Sequence, residues 1–176
     1  MLFRSLGAER DAYIWLDGEG NEMAGGGLNI TARDAARFGQ MILQGGLYNG
    51  KQVLPGAVVR RIFEDGDPAV FTRFYPDDPW YGTIAGSYHN QWWHFKNKHK
   101  AVSAIGVHGQ YIYLDPVAQM VVVKQSSSPD AEGGANESND TDGPLLYQAI
   151  AEHLMKLTGG SRPAPAPQPT PAQPGA

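Results

Sequence analysis

The sequence has no cysteine among its 176 residues. Disulfides and thiolate metal sites are therefore excluded, although this absence does not fix the compartment. An excess of basic side chains is also missing, since the formal net charge is −4 at pH 7. Because no basic field is present to attract a phosphate backbone, we expect no nucleic-acid partner.

Long apolar runs are absent as well. Apolar runs such as residues 120–123 are only a few residues long, far short of the roughly 20 residues that span a bilayer. Residues 1–7 contain neither the apolar segment nor the cleavage site of a signal peptide. We therefore expect a soluble protein with no membrane partner. It would be cytoplasmic if Met1 is the true start, and the compartment is otherwise unknown.

The composition is that of a folded chain, with 41% hydrophobic and 18% charged residues. Residues 1–157 are long enough to form one domain with a core of its own. Residues 158–176 are rich in Pro, Ala and Gln. Such a tail can bury little apolar surface, so we expect it to be disordered or polyproline-like.

The first part of the chain has helical patterns. Thr31 and Asp34 have the spacing of a capping box, and apolar residues at helical spacing follow until Gly45-Gly46. These signals predict a helix over 32–44. A second helix is predicted from Pro55 to about residue 64, and the Asp- and Pro-rich residues 65–80 are predicted to be a loop.

The second part of the chain is extended before a last helix. Strands are predicted at 90–95, 102–107, 111–114 and 120–125. Residues 145–157 predict an amphipathic helix with Leu146, Ile150, Leu154 and Leu157 on one face. Helices followed by an antiparallel meander indicate an α+β fold, with an antiparallel sheet flanked by helices.

The segment most informative about chemistry is Gly106-Val107-His108-Gly109-Gln110. Glycines at a strand end let a substrate lie close to the backbone. A free backbone N–H at such a place can point at a developing oxyanion. On pattern alone, a glycine-containing hairpin with a surface histidine is the favoured interpretation, because short motifs have low specificity.

The same segment resembles the third motif of the penicillin-recognising, β-lactamase-related serine hydrolases. It is most similar to the form in the 6-aminohexanoate-dimer hydrolase and class C β-lactamase-like esterase group. Residues 23–39, 91–93 and 121–127 resemble other parts of that family in the same order. The resemblance covers roughly residues 1–157 and implies a partial β-lactamase/transpeptidase-like fold.

The resemblance also implies a chemistry. Family members acylate a serine with an amide, lactam or ester and then hydrolyse the acyl-enzyme, without a metal or an organic cofactor. Gly106 would match the motif's glycine, and the backbone N–H of Val107 would form half of the oxyanion hole. His108, Gly109 and Gln110 would line the substrate cleft.

The sequence departs from the family at the nucleophile. That serine lies in Ser-x-x-Lys, and no serine here has a lysine three residues later. Tyr88-His89-Asn90 has the family's Tyr-x-Asn spacing but lies too close to the third motif. We therefore expect a fragment of a serine hydrolase that begins inside the family domain and is inactive alone. Its missing N-terminal half would be a partner, and the intact relative's substrate would be a small amide or ester.

Other interpretations stay open at this point. The chain could be a non-catalytic module that keeps the cleft wall and binds peptides or amides, or a decayed product with no function of its own. The histidines at 89, 94, 99 and 108 have no recognisable metal-ligand spacing, so we predict solvated loop histidines and no metal site. Trp92 and Trp93 should face opposite sides of a strand.

Overall fold

A computed structural model describes residues 5–23, 25–78, 80–81, 84–131 and 138–159. From residue 160 onward, the predicted Pro-rich tail lies outside the described residues. None of the helices in the described ranges is long and apolar enough to cross a membrane.

Nine strands and four helices make up the described structure. The strands are β1 Tyr13–Ile14, β2 Leu28–Asn29, β3 Leu47–Tyr48, β4 Lys51–Gln52, β5 Ala85–His89, β6 Trp92–Phe95, β7 Val102–Gly106, β8 Gln110–Asp115 and β9 Met120–Lys124. The helices are α1 Ala32–Leu43, α2 Gly56–Ile62, α3 Ala69–Phe74 and α4 Ser138–Leu157.

The central element is a five-stranded antiparallel sheet in the order β5-β6-β7-β8-β9. Neighbours along the chain are neighbours in the sheet, so the sheet is a simple meander. β1–β2 and β3–β4 are short separate antiparallel pairs. The predicted α+β fold, an antiparallel sheet flanked by helices, is confirmed.

The sheet is covered on both faces, because alternate side chains of each strand point to opposite sides. On one face, Met41 and Ile42 of α1 pack in a core cluster with Val102 and Leu114. On the other face, Tyr147 and Ala151 of α4 share a cluster with the buried tyrosines of β8, which are Tyr111 and Tyr113. The sheet is therefore the middle of three layers.

Helix α1 begins where the sequence predicts, but only half of the capping box forms. The Thr31 hydroxyl accepts the N–H of Asp34 at 3.1 Å. The Asp34 carboxylate does not reach back to the Thr31 N–H. It accepts the N–H of Glu9 at 2.9 Å and ion-pairs with Arg37 at 2.6 Å, so it ties the preceding segment to the helix.

Two predictions in the middle of the chain are wrong. The predicted loop 65–80 contains helix α3, whose Phe71 packs on the rings of Tyr81 and Trp93 at 4.9 and 5.6 Å. The prediction of a strand over 90–95 is wrong in part. The strand β6 lies within that range, but Asn90 and Gln91 form a turn in the left-handed region (φ 51° and 66°) that joins β6 to the unpredicted strand β5. Tertiary aromatic contacts stabilise both departures.

Helix α4 starts earlier than predicted and buries a different face. It extends from Ser138 to Leu157 with Pro144 inside it. The predicted apolar positions are exposed, from 39% at Ile150 and Leu154 to 70% at Leu157. The helix instead buries the neighbouring stripe that contains Tyr147, because this ring packs against the tyrosines of β8.

Candidate active site

The candidate site is the turn that joins β7 to β8. Gly106 and Gln110 form the last pair of the ladder, and Val107, His108 and Gly109 form the turn. His108 and Gly109 have φ angles of 59° and 80°, in the left-handed region. Glycine enters this region without a steric penalty, and histidine is among the residues found there more often than most. The turn is therefore a defined conformation.

Val107 is an exposed residue of this turn. Its exposed fraction is 58%. Among the described residues, no acceptor bonds its backbone N–H, whereas the next N–H, that of His108, donates to the carbonyl of Ala131 at 3.0 Å. The Val107 N–H is thus a free donor of the turn and can bond to an external oxygen.

His108 is fastened to the segment that follows β9. Its carbonyl accepts the N–H of Ser128 at 3.2 Å, and its Nδ1 lies 2.8 Å from the carbonyl oxygen of Ser128. Because a carbonyl oxygen only accepts, Nδ1 must carry the hydrogen of this bond. In the neutral ring Nε2 then holds a lone pair, and the side chain is exposed.

Gln110 is fastened to the same segment. Its Oε1 accepts the N–H of Ser126 at 3.2 Å, and its Nε2 donates to the carbonyl of Ser126. The side-chain amide of Gln110 thus makes the pair of hydrogen bonds that the backbone of a neighbouring strand would make. It fixes the turn from its C-terminal side. Its predicted place in the cleft wall stays a prediction, because the side-chain amide is engaged with the main chain.

The two glycines of the motif make room for this packing. A Cβ atom on Gly106 would lie 3.2 Å from the Cβ of Gln110, and one on Gly109 would lie 3.4 Å from the Oγ of Ser126. At Gly109 the positive φ adds a penalty for any other residue. The predicted site residues therefore come together in one turn, and residues 126–131 are its unpredicted support.

Ser126, Ser128 and Ala131 carried no signal in the sequence. They fall in a Ser-, Asp- and Gly-rich stretch that is typical of a loop. Their role depends on backbone groups that meet the turn from a segment about 20 residues further along the chain, as the Nδ1 contact shows. Only tertiary structure could place them.

The other candidate residues have structural partners. The ring of Tyr88 packs at a tilt on that of Trp93, with centroids 4.8 Å apart, and the side chain of Asn90 donates to the carbonyl of Arg61 at 2.8 Å. Since β6 separates their strand from β7, they do not join the turn. Trp92 packs on Phe38 of α1 at 6.5 Å, on the face opposite to Trp93, as strand alternation predicts.

The prediction of solvated histidines is wrong for His94 and His99, which are both buried. His99 Nδ1 lies 2.6 Å from the carboxylate of Asp115, and His94 Nδ1 lies 3.5 Å from that of Asp65. These carboxylates compensate for part of the burial of the imidazoles. The ranges that the structure describes contain no group of three or more His, Asp or Glu side chains able to hold a metal ion.

The comparisons with known proteins agree on one kind of hydrolase. The chain is 40% identical over 136 residues to the 6-aminohexanoate-dimer hydrolase of Paenarthrobacter ureafaciens, which covers 74% of this chain and 33% of that protein. The solved structure of a proposed 6-aminohexanoate-dimer hydrolase from Bacillus anthracis superposes with a TM-score of 0.64 and 36% identity, over 86% of this chain and 36% of that one. No family model matches the sequence.

The extent of these matches bears on function. The chain spans about one third of the length of both relatives. The chain resembles both relatives in sequence and in fold, because its identity to each is well above the level at which only a shared fold would be inferred. The chain is homologous to one third of the length of a 6-aminohexanoate-dimer hydrolase, and it fits the β-lactamase-related family of hydrolases.

Proposed function

We propose that the β7–β8 turn forms one wall of an active site that hydrolyses an amide, ester or lactam through an acyl-enzyme. The observation that carries the proposal is the backbone N–H of the exposed residue Val107, which has no acceptor among the described residues. A fixed donor of this kind stabilises the oxyanion that forms when a carbonyl carbon is attacked. Because His108 and Gln110 fix the turn on both sides, little reorganisation is needed when charge develops.

The proposed wall also has an acceptor. With Nδ1–H bonded to Ser128, the neutral ring of His108 offers Nε2 to a donor of the substrate. An amide has both groups that this turn complements, a carbonyl oxygen for the Val107 N–H and an N–H for His108. An ester has only the first.

The nucleophile is the missing part, because the sequence has no Ser-x-x-Lys. We propose that it comes from the part of the domain that this chain does not contain, and that the chain alone does not turn substrate over. The serine oxygen would bond to the carbonyl carbon while the amine or alcohol leaves with a proton. Water would then release the acid and restore the serine.

The test compares two proteins. One is the 176-residue chain, and the other, called the linked protein here, joins it through a flexible linker to the part of the Paenarthrobacter enzyme outside the matched region. Both are incubated with 6-aminohexanoate dimer, p-nitrophenyl acetate, nitrocefin and a fluorescent fluorophosphonate. We expect turnover and labelling only in the linked protein. Labelling of the chain alone that is lost on mutation of one serine would contradict the proposal. A folded linked protein that shows neither turnover nor labelling would also contradict it.

The role of Val107 has its own variant pair in the linked protein. Val107→Pro removes the N–H, whereas Val107→Ala shortens the side chain and keeps the donor. Loss of one oxyanion donor lowers kcat by about 10²–10³-fold, so we expect this loss for the proline variant alone. Equal kcat values for the two variants, with both folded, would show that the Val107 N–H is not the donor.

A binding module is the second candidate, favoured by the absence of Ser-x-x-Lys beside an ordered turn. It predicts that the chain alone binds a small amide at this turn. NMR titration with the 6-aminohexanoate dimer distinguishes the two, because a binding module shifts the amide signals of Val107 and His108 at ligand concentrations that saturate.

A further inference from the structure

Residues 63–67 form an irregular segment between α2 and α3, called the strap here, that lies against the edge strand β5. Side chains of β5 attach it. The Oγ of Ser87 accepts the N–H of Gly66 at 3.0 Å, and Nδ1 of His89 lies 3.0 Å from the carbonyl oxygen of Glu64. The strap is thus held by single contacts to side chains, whereas a strand would be held by a backbone ladder.

The backbone of the strap comes close to that of β5. A Cβ atom on Gly66 would lie 2.6 Å from the carbonyl oxygen of Tyr88, so a larger residue does not fit this approach. Just before the strap, the carbonyl of Arg61 accepts the side-chain amide of Asn90 at 2.8 Å. A surface segment that is fastened by few bonds can open locally while the core stays folded.

A buried histidine contacts the strap. His94 of β6 is the ladder partner of Ser87, so the two side chains lie side by side on one face of the sheet. The imidazole is only 4% exposed, and its Nδ1 lies 3.5 Å from the carboxylate of Asp65 in the strap. Its Nε2 is buried and has no hydrogen-bond partner among the described residues. The closed strap therefore suits a neutral imidazole.

The charged and titratable groups that face His94 are Asp65 of the strap, Lys100 of the β6–β7 connection and His89 at the end of β5. Burial lowers the pKa of His94, Lys100 and His89 add to this effect, and Asp65 opposes it. The opposition is limited, because the Asp65 side chain is 61% exposed and is shared with Lys100 at 3.6 Å. A proton on Nε2 would be a buried donor without an acceptor, which costs more than this screened pair returns.

We propose that His94 and the strap form a pH-sensitive latch, in which the neutral imidazole keeps the strap closed on β5 and the protonated imidazole releases it. Release lets water reach the ring and uncovers the outer edge of β5. An uncovered strand edge can pair with another strand, so acid changes the surface that the chain presents. The latch does not involve the β7–β8 turn, and its test is independent of the proposed chemistry.

Hydrogen exchange of the Gly66 amide at pH 7.5 and 5.5 tests the latch. Protection is expressed at each pH relative to an unstructured peptide. If only the open form takes up the proton, with a pKa near 6.5, opening increases about 10-fold over this interval. We expect the protection of Gly66 to fall by about this factor. Low concentrations of urea should accelerate exchange of the Tyr113 amide in the core but leave that of Gly66 nearly unchanged, because local opening exposes little surface.

A pair of variants identifies the group that titrates. His94→Gln has no proton to take up, so the protection of Gly66 should change by less than about twofold between the two pH values. His153→Gln makes the same replacement at an exposed position of α4 and should keep the full response.

Thiol labelling gives a second measurement, because the chain has no cysteine of its own. Ser87→Cys places a thiol beside the strap at a buried position, and Ser127→Cys places one at an exposed position as the reference. The labelling rate of Ser87→Cys by a methanethiosulfonate reagent is divided by that of Ser127→Cys. We expect this ratio to be about 10-fold higher at pH 5.5 than at pH 7.5, for the same reason as the exchange.

Equal protection of Gly66 at the two pH values would overturn the latch, and so would a full response in His94→Gln. If urea accelerates exchange of Gly66 as much as that of Tyr113, the strap leaves only when the whole chain unfolds, which also contradicts the proposal. Should His94→Gln not fold, the parent chain and the thiol variants still decide, because a labelling ratio that is the same at both pH values refutes the latch.

Discussion

Nδ1 of His99 lies 2.6 Å from Oδ2 of Asp115, and both side chains are buried. The other carboxylate oxygen of Asp115 accepts the N–H groups of Val117 and Ala118 at 3.0 and 2.7 Å. One carboxylate therefore holds the β8–β9 turn and joins it to the β6–β7 connection, where His99 lies.

Removing the imidazole should destabilise the fold. In His99→Ala one oxygen of a buried carboxylate loses its partner, and breaking a buried pair in this way costs about 3 kcal/mol. We expect this loss in the free energy of unfolding, measured by urea denaturation. The exposed His153→Ala provides the comparison and should change stability by less than about 0.5 kcal/mol. Similar midpoints for the two variants would show that the pair contributes nothing.

Acid should destabilise the protein through His94. Burial lowers the pKa of His94, and the Coulomb interaction with Asp65 opposes this shift while those with His89 and Lys100 add to it. The unfolded chain therefore takes up a proton near pH 6.5 that the native state does not. Stability is lost as the pH falls below the unfolded value, by at most about 1.4 kcal/mol per pH unit for one proton.

Urea midpoints at pH 7.5 and 5.5 measure this effect. We expect His94→Gln to lose less stability over the interval than the parent chain, because the variant has no proton to take up. Its Nε2 has no hydrogen-bond partner within the described structure, so the substitution sacrifices no bond of that atom. Parallel pH dependence in the two proteins would assign the acid sensitivity to other groups.

Gly39 should resist substitution by alanine although it lies in a helix. A Cβ atom there would lie 2.7 Å from Cγ1 of Val121 and 2.9 Å from Cδ2 of Leu114. Alanine gains about 1 kcal/mol in helix propensity, but overpacking costs 1–3 kcal/mol, so we expect a net loss of roughly 1 kcal/mol. Thermal unfolding measures it, with the exposed Gln40→Ala as control. A stabilised Gly39→Ala would show that the helix can move away from the sheet.

The two hydrogen bonds between the side-chain amide of Gln110 and the backbone of Ser126 should control the order of residues 126–131. Gln110→Ala removes both hydrogen bonds, and one such bond is worth about 1 kcal/mol, so we expect the Ser126 amide to exchange at least about fivefold faster. Gln125→Ala, which removes a bond from an exposed glutamine to the carbonyl of Ile30, should leave this amide unchanged. Unchanged exchange in Gln110→Ala would mean that the other contacts of the segment hold it.

Much of the fold is predictable where a local signal and the tertiary structure agree. Thr31 and Gly45-Gly46 mark the ends of α1 by cap chemistry that depends only on near neighbours. The strands predicted at 102–107, 111–114 and 120–125 correspond to β7, β8 and β9. The motifs around residues 106–110 and their order along the chain were sufficient to predict the family. The relatives confirm this prediction.

The failures share a physical cause. Helix α3 has six residues and no side-chain cap, so its stability comes from Phe71 against distant rings. The face of α4 could not be predicted from its leucines, because packing against the β8 tyrosines selects Tyr147. At the site, the turn was predictable but its support was not, since Gln110 and Ser126 meet only after β9 returns along β8.

The apolar β9 edge affects the aggregation and the turnover of the protein in a cell. The β9 edge has no strand beside it among the described residues, and an apolar strand edge left unpaired leads to edge-to-edge pairing between copies at high concentration and to recognition by chaperones. Copies whose edge is uncovered would therefore be cleared or would aggregate. The amount of soluble polypeptide would then depend on whether the β9 edge is paired, so expression level by itself would not set the amount present.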